Sequence, residues 1–246
     1  MKTQYQAVTE ALEQLGGLAT LAQLYSSVPR ISGCTWNTKT PQASIRRIVQ
    51  LSNDIFKIKP GLYGLKSMRR QIEARGIIPE TTSNKNVEQI RQSNHTYYQG
   101  LILMLGQYRN FDCWAPNQDR NKAFLAQTID DLRTIKTIPP FSYPKLVKRS
   151  ETVDAVWFNS RGMPNSFFEV EYSTDMQNSL LKFNDLQDFH AQMVIVAEAN
   201  RRSEFNTKLT YSAFADIQNR VKFLDFAALV KRYELVAAQS NLDIIL

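Results

Sequence analysis

Residues 152–158 and 166–172 are two apolar runs built from Val, Ala, Trp, Phe and Tyr and separated by a Gly/Pro/Asn turn. Aromatic and β-branched residues at this density, bounded by turn residues, predict two consecutive strands. The period of two then fixes which groups share a face. Phe167, Glu169 and Glu171 lie on one side, Phe168, Val170 and Tyr172 on the other, and in the preceding strand Asp154 lies with Val156 and Phe158. Three carboxylates are thereby set to converge on otherwise hydrophobic strands. Clustered acids repel one another, so a fold that gathers them at a sheet edge does so with a divalent cation or a paired base. The competing reading is an ordinary solvated strand face.

Charge divides the chain unevenly. Residues 1–70 carry ten bases (Lys2, Arg30, Lys39, Arg46, Arg47, Lys57, Lys59, Lys66, Arg69, Arg70) against three acids (Glu10, Glu13, Asp54), which accounts for the whole net charge of +7. The remainder has twenty of each sign. A basic module attached to a neutral one is the electrostatic footprint of polyanion binding. No run approaches the roughly 18 apolar residues of a membrane span, and Met1 to Gln6 lacks the apolar stretch of a signal peptide, so the expectation is a cytoplasmic protein. Cys34 and Cys113 have neither CxxC spacing nor a histidine cluster, which supports neither a disulfide framework nor a zinc site. Gly-rich phosphate loops, a GxSxG elbow and HExxH are absent, which argues against an NTPase, an α/β-hydrolase and a zincin.

In the basic third, a helix is expected from Thr3 to Leu15, stopped at Gly16-Gly17, and a second after Thr20 that ends before Pro29. A third starts at Thr40 as N-cap with Pro41 at the first helical position. Its Ile45, Ile48 and Val49 face a core while Gln42, Ser44, Arg46 and Arg47 project. A hairpin follows over Ile55 to Leu65, turning at Pro60-Gly61. Three helices and a basic hairpin predict a winged helix-turn-helix whose third helix enters the major groove and whose Lys57 and Lys59 reach phosphates. The strings Gly16 to Leu21, Thr40 to Arg46 and Pro60 to Leu65 resemble the HARE-HTH family of winged helices over about residues 3–66. The resemblance implies binding of double-stranded DNA; a protein-binding winged helix is the alternative.

Met68 to Lys85, with the polar run Thr81 to Asn84, marks a boundary. The division expected is residues 1–70, a linker at 71–85, and a second domain over 86–246. That domain begins with a helix from Val87 to Leu105 ending at Gly106, then a short strand Phe111 to Ala115, a polar turn Asn117 to Asn121, and a helical stretch from Ala123 to Leu132. After the two carboxylate strands come a helix over Leu180 to His190, strands at Met193 to Ala197 and Val221 to Leu224, and a closing helix from Phe226. Ser173 or Thr174 is expected to cap the helix after the second carboxylate strand.

This order, with Asp154 and Glu169-Val170-Glu171 on adjacent strands, resembles the PD-(D/E)xK nuclease superfamily over about residues 86–238. The fold class implied is mixed α/β (α+β), an amino-terminal winged helix-turn-helix followed by a restriction-endonuclease-like mixed sheet flanked by helices. The resemblance implies Mg²⁺, or Mn²⁺, held by Asp154, Glu169 and the carbonyl of Val170, and hydrolysis of phosphodiester bonds in duplex DNA for restriction or defence. Cutting both strands implies a homodimer. The superfamily's lysine position holds Glu171. Either Glu171 serves in its place, or Lys182 of the next helix does, or the domain is a non-catalytic DNA-binding regulator. For the glutamate that relatives carry on the first helix, this chain offers Gln99 or Glu88. His95 and His190 have no second ligand at helical spacing and are read as structural, Arg201-Arg202 as a solvated loop, and Phe141 and Tyr143 as packing on the sheet.

Overall fold

The structure, a computed structural model, describes residues 1–37, 40–79, 86–173 and 175–243, with side chains as far as Gln239. The polar run at 81–84 and Thr174 lie outside the described residues. The chain divides into two compact units, one of residues 1–93, 123–126 and 230–246, the other of residues 94–122 and 127–229. Residues 86–93, 123–126 and 230–246, assigned from sequence to the second domain, thus fall in the first unit.

The first unit opens with α1 (Gln4–Gln14), β1 (Leu18–Thr20) and α2 (Leu21–Ser27). Thr3 and Thr20 start the two helices through capping boxes with Gln6 and Gln23, each hydroxyl accepting the backbone N–H three residues on. Helix α3 (Pro41–Leu51) begins at the expected proline, and strands β2 (Ile55–Lys59) and β3 (Leu62–Leu65) follow. The three strands form an antiparallel sheet in the order β1-β3-β2. Ile45 and Val49 of α3 join Val8, Leu12, Leu24, Ile55 and Leu65 in one apolar core. The stretch read as linker contains a further helix, α4 (Arg69–Ala74), whose Ile72 is fully buried.

Helix α5 (Val87–Tyr108) runs three residues past the expected end. Gly106 does not stop it. A Cβ there would lie 2.5 Å from the Cys113 sulfur and 2.6 Å from Trp157 Nε1, so the glycine permits close packing within the helix. Next come β4 (Asp112–Trp114), β5 (Ala123–Phe124), β6 (Gln127–Thr128) and the single turn α6 (Ile129–Leu132). The helix expected over Ala123 to Leu132 is therefore mostly extended. Leu125 has a left-handed φ of 53°, which no helix accommodates, and the Thr128 capping box starts the helical turn only at Ile129.

Helix α7 (Pro144–Ser150), unread in the sequence, precedes β7 (Ala155–Phe158) and β8 (Pro164–Glu171). Then follow α8 (Met176–Asp185), β9 (Gln192–Ala197), α9 (Arg202–Leu209), β10 (Val221–Asp225) and α10 (Phe226–Asp243). The five-stranded sheet has the order β10-β9-β8-β7-β4, parallel across β10, β9 and β8 and antiparallel across β8, β7 and β4. The molecule is thus a mixed α/β protein built on a mixed five-stranded sheet. Phe158, Phe167, Leu180, Phe183 and Ile195 fill the core on one face. Among the described residues no helix is long and apolar enough to cross a membrane.

Candidate active site

Strand register brings the first two acids together. Ala155 pairs with Phe168 and Val156 with Phe167, so Asp154, one residue before β7, stands opposite Glu169. The Asp154 amide donates to Glu169 Oε1 at 3.3 Å, and Asp154 Oδ2 accepts the Val170 N–H at 2.7 Å. Glu169 and Glu171 point to the face covered by α8, both nearly inaccessible at 2% and 5%. These carboxylates are not a solvated strand face.

Helix α8 supplies their partners. Asp175, rather than Ser173, is its N-cap, accepting from Gln177 N at 2.9 Å. Met176, Leu180 and Phe183 then repeat at helical spacing and bury, and Ser179 shares their stripe. The Ser179 hydroxyl lies 2.8 Å from Glu169 Oε2 and hydrogen-bonds Glu171 Oε1. One turn on, Lys182 Nζ donates to both Glu169 oxygens at 2.9 Å and to the Thr152 carbonyl at 2.8 Å. Asp154, Glu169, Glu171 and Lys182 are therefore in one cluster.

The cluster also draws on α5, where the sequence offers Gln99 for the acidic position of the first helix and His95 is read as structural. His95 of α5 places Nε2 3.1 Å from Asp154 Oδ2. Gln99, one turn later and fully buried, donates Nε2 to the Asp154 carbonyl at 2.7 Å and to Asp119 Oδ2 at 2.9 Å. Glu88 instead engages Arg91 and Gln92. Arg201, read as solvated, is mostly buried, binds Glu204 and donates to the Glu171 carbonyl at 3.2 Å. The signal for Ser179 was available, a polar residue at a core position of an apolar stripe. His95 and Gln99 had the i, i+4 spacing that puts two side chains on one helix face, but no alternation marked them, because α5 is buried on nearly all sides from Ser93 to Gly100.

Burial and the Asp154 charge push the Glu169 carboxyl up to about 8, against the pull of Lys182 and Ser179. Burial also disfavours ionised Asp154, but the neighbouring His95 and Lys182 outweigh it and hold that carboxyl below its usual range. His95 is raised, its burial offset by Asp154, and Lys182 is likewise raised, its burial offset by Glu169 and Asp154. The arrangement is two facing acids each steadied by one base.

Among the described residues no group of three or more His, Cys, Asp or Glu is disposed to hold a metal ion. Two carboxylates on facing strands are nevertheless the donor set that Mg²⁺ takes, since it keeps several of its own waters. Asp154 Oδ1 receives no hydrogen bond from any described residue, both donors going to Oδ2. Asp154 Oδ1 is therefore the oxygen open to a hard, partly hydrated cation, which the Val170 carbonyl and Glu169 would complete once Glu169 gives up part of its bonding to Lys182.

In the first unit, Gln42, Arg46, Arg47 and Lys57 are exposed and Ser44 is half-buried. Arg47 and Ser44 border a cavity of about 650 Å³ between α1 and α3. Arg46 is engaged, donating to the Tyr25 hydroxyl at 2.9 Å and to Glu234 of α10 at 3.0 Å. Lys59 does not reach outward. It is 1% exposed, with its ammonium 3.0 Å from the Ile78 carbonyl, because a register shift between Lys57 and Lys59 breaks the alternation that would have kept both on one face. Phe141 packs against Phe158 in a tilted contact and edge-on against Phe189, whereas Tyr143 is exposed. His190 is exposed as well.

A family model described as the type II restriction enzyme NmeDI C-terminal domain matches residues 77–244, more than half of the chain. No curated protein and no solved structure matches.

Proposed function

Because the chain belongs to the family of the type II restriction enzyme NmeDI C-terminal domain, we propose that it is a divalent-metal-dependent endonuclease that hydrolyses phosphodiester bonds of duplex DNA. The observation that carries this reading is the ammonium of Lys182 at 2.9 Å from both oxygens of Glu169, which faces Asp154. A buried carboxylate needs a partner charge in any fold, and here that partner is a lysine from the neighbouring helix that also lies beside the Asp154–Glu169 pair. Lys182, which reaches Glu169 from α8, is the lysine we assign to the role that position 171 leaves open.

Asp154 and Glu169, with the Val170 carbonyl, would hold the cation, which would supply polarisation of the scissile phosphate and a more acidic bound water. Lys182 neutralises charge that develops on the phosphoryl oxygens and orients the attacking water. Glu171, linked to Glu169 through the Ser179 hydroxyl, takes up the proton that the water releases. The amino-terminal unit acts as a winged helix on DNA. Gln42, Ser44 and Arg47 of α3 face the groove, Lys57 of β2 meets phosphate, and Arg46 joins them on leaving Glu234. Cleavage of both strands requires two such sites and hence two copies of the chain.

The test is cleavage of plasmid and phage DNA by the purified protein with and without Mg²⁺, beside the Asp154→Ala variant. Nicking and linearisation that need the cation and vanish in the variant are expected. Cleavage unchanged by Asp154→Ala would remove the proposed site.

A further inference from the structure

Asp154 has two side-chain oxygens, and the protein treats them differently. Oδ2 accepts the Val170 N–H at 2.7 Å and faces His95 Nε2 at 3.1 Å, while Oδ1 accepts nothing from the described residues. A carboxylate only accepts, so the nitrogen that faces it is the one that carries hydrogen. The main chain of the same residue is fixed from the same helix. Gln99, four residues after His95, donates to the Asp154 carbonyl at 2.7 Å, and its other hydrogen goes to Asp119 at 2.9 Å, which Lys122 in turn engages. Side chain and backbone of Asp154 are thus held by consecutive turns of α5.

We propose that His95 is a positioning residue for the metal carboxylate: by occupying Oδ2 it fixes the Asp154 rotamer and leaves Oδ1 as the oxygen presented to the cation, with Gln99 holding the backbone beneath it. This rests on the reading of Asp154 as a metal ligand. Two donors on one oxygen remove the freedom of the carboxylate to rotate, so the ligand does not have to be ordered when the ion arrives. Partners of this kind, behind a ligand, typically change metal affinity about 10- to 100-fold when removed. His95 needs no contact with substrate for this role.

The geometry makes an asymmetric expectation for two nearly isosteric changes. Asp154→Asn keeps an oxygen for the Val170 N–H and His95 but turns an NH₂ toward the cation, so the fold is kept and the ion repelled. His95→Gln keeps an N–H donor near the position of Nε2, whereas His95→Leu removes it.

Binding of Mn²⁺ to the full chain without DNA, followed by the loss of the free-ion electron paramagnetic resonance signal, reads this out independently of cleavage. Asp154→Asn is expected to abolish the site, His95→Leu to weaken it about 10- to 100-fold, and His95→Gln to recover most of the affinity. Parent-like Mn²⁺ binding by His95→Leu, with Asp154→Asn defective, overturns the role of His95 and leaves the site standing. Parent-like binding by Asp154→Asn overturns the site itself. If His95→Leu does not fold, the parent supplies the answer through its imidazole nitrogen resonances, since His95 and His190 are the only histidines. Mg²⁺ is expected to shift the His95 signals, with Nε2 remaining protonated, and to leave those of exposed His190 in place. His95 signals indifferent to saturating Mg²⁺ would equally overturn the proposal.

Discussion

Glu169 carries the sharpest electrostatic consequence at the scale of single residues. Its carboxyl, 4.5 in the ordinary case, is pushed up to about 8 by burial and by Asp154. An acid that binds its proton more tightly in the folded than in the unfolded chain makes folding take up a proton between those two values. The stability of the metal-free protein therefore falls as pH rises from about 4.5 to about 8 on account of this group, and is insensitive to it above. Urea denaturation at several pH values should show that slope reduced in Glu169→Gln. An identical pH profile for variant and parent would mean that Glu169 is ionised throughout the range. The residue scale is also where the sequence was most legible for chemistry. Alternation alone put Asp154, Glu169 and Glu171 on facing positions, and the helix that follows offered Lys182. The contacts of His95 and Arg201 were not legible, because their partners Asp154 and Glu171 lie 59 and 30 residues away in the chain and no local pattern encodes them; Gln99 was named from the sequence, but not its bond to Asp154.

At the scale of elements, local chemistry settled those whose ends carry strong signals, and tertiary packing settled the others. Thr20 starts α2 and Pro41 starts α3 where local rules put them, although the Thr40 side chain, expected to cap α3, makes no capping hydrogen bond. The carboxylate strands follow from their β-branched and aromatic residues, although β7 begins at Ala155 and leaves Asp154 just outside it. Gly106 misleads because its reason is remote. A glycine near the end of an apolar helical pattern reads as a stop, yet here it admits Cys113 and Trp157 against the helix. Gly106→Ala should therefore destabilise the protein by about 1–3 kcal/mol through overpacking, although alanine is favoured over glycine in a helix by about 1 kcal/mol. Guanidinium unfolding measures the difference. A stabilised variant would show that the contact is soft and that the helix preference dominates.

At the scale of the whole molecule, the proposed function assigns the holding of DNA to the basic amino-terminal unit and its cutting to the neutral unit that bears the acid cluster. The two hairpin lysines separate binding from folding. Lys57 is exposed and Lys59 is buried on the Ile78 carbonyl. Lys57→Ala should weaken DNA binding and lower the salt dependence of log affinity by about one unit, with little effect on stability. Lys59→Ala should lower stability and, in the protein that remains folded, leave the salt dependence unchanged. The reverse pattern in fluorescence-anisotropy titrations would exchange their roles. The central claim is that a lysine brought in by α8 completes a metal-dependent nuclease whose strand carries glutamate instead. Single-turnover cleavage of a duplex substrate in saturating Mg²⁺ by the parent and by Lys182→Met addresses it directly. The expected result is metal-dependent cleavage by the parent and a loss of about 100-fold or more in the rate constant for the variant, with DNA and Mn²⁺ binding retained. A variant that cuts as fast as the parent, or a parent that cuts no duplex under any divalent cation, would contradict it.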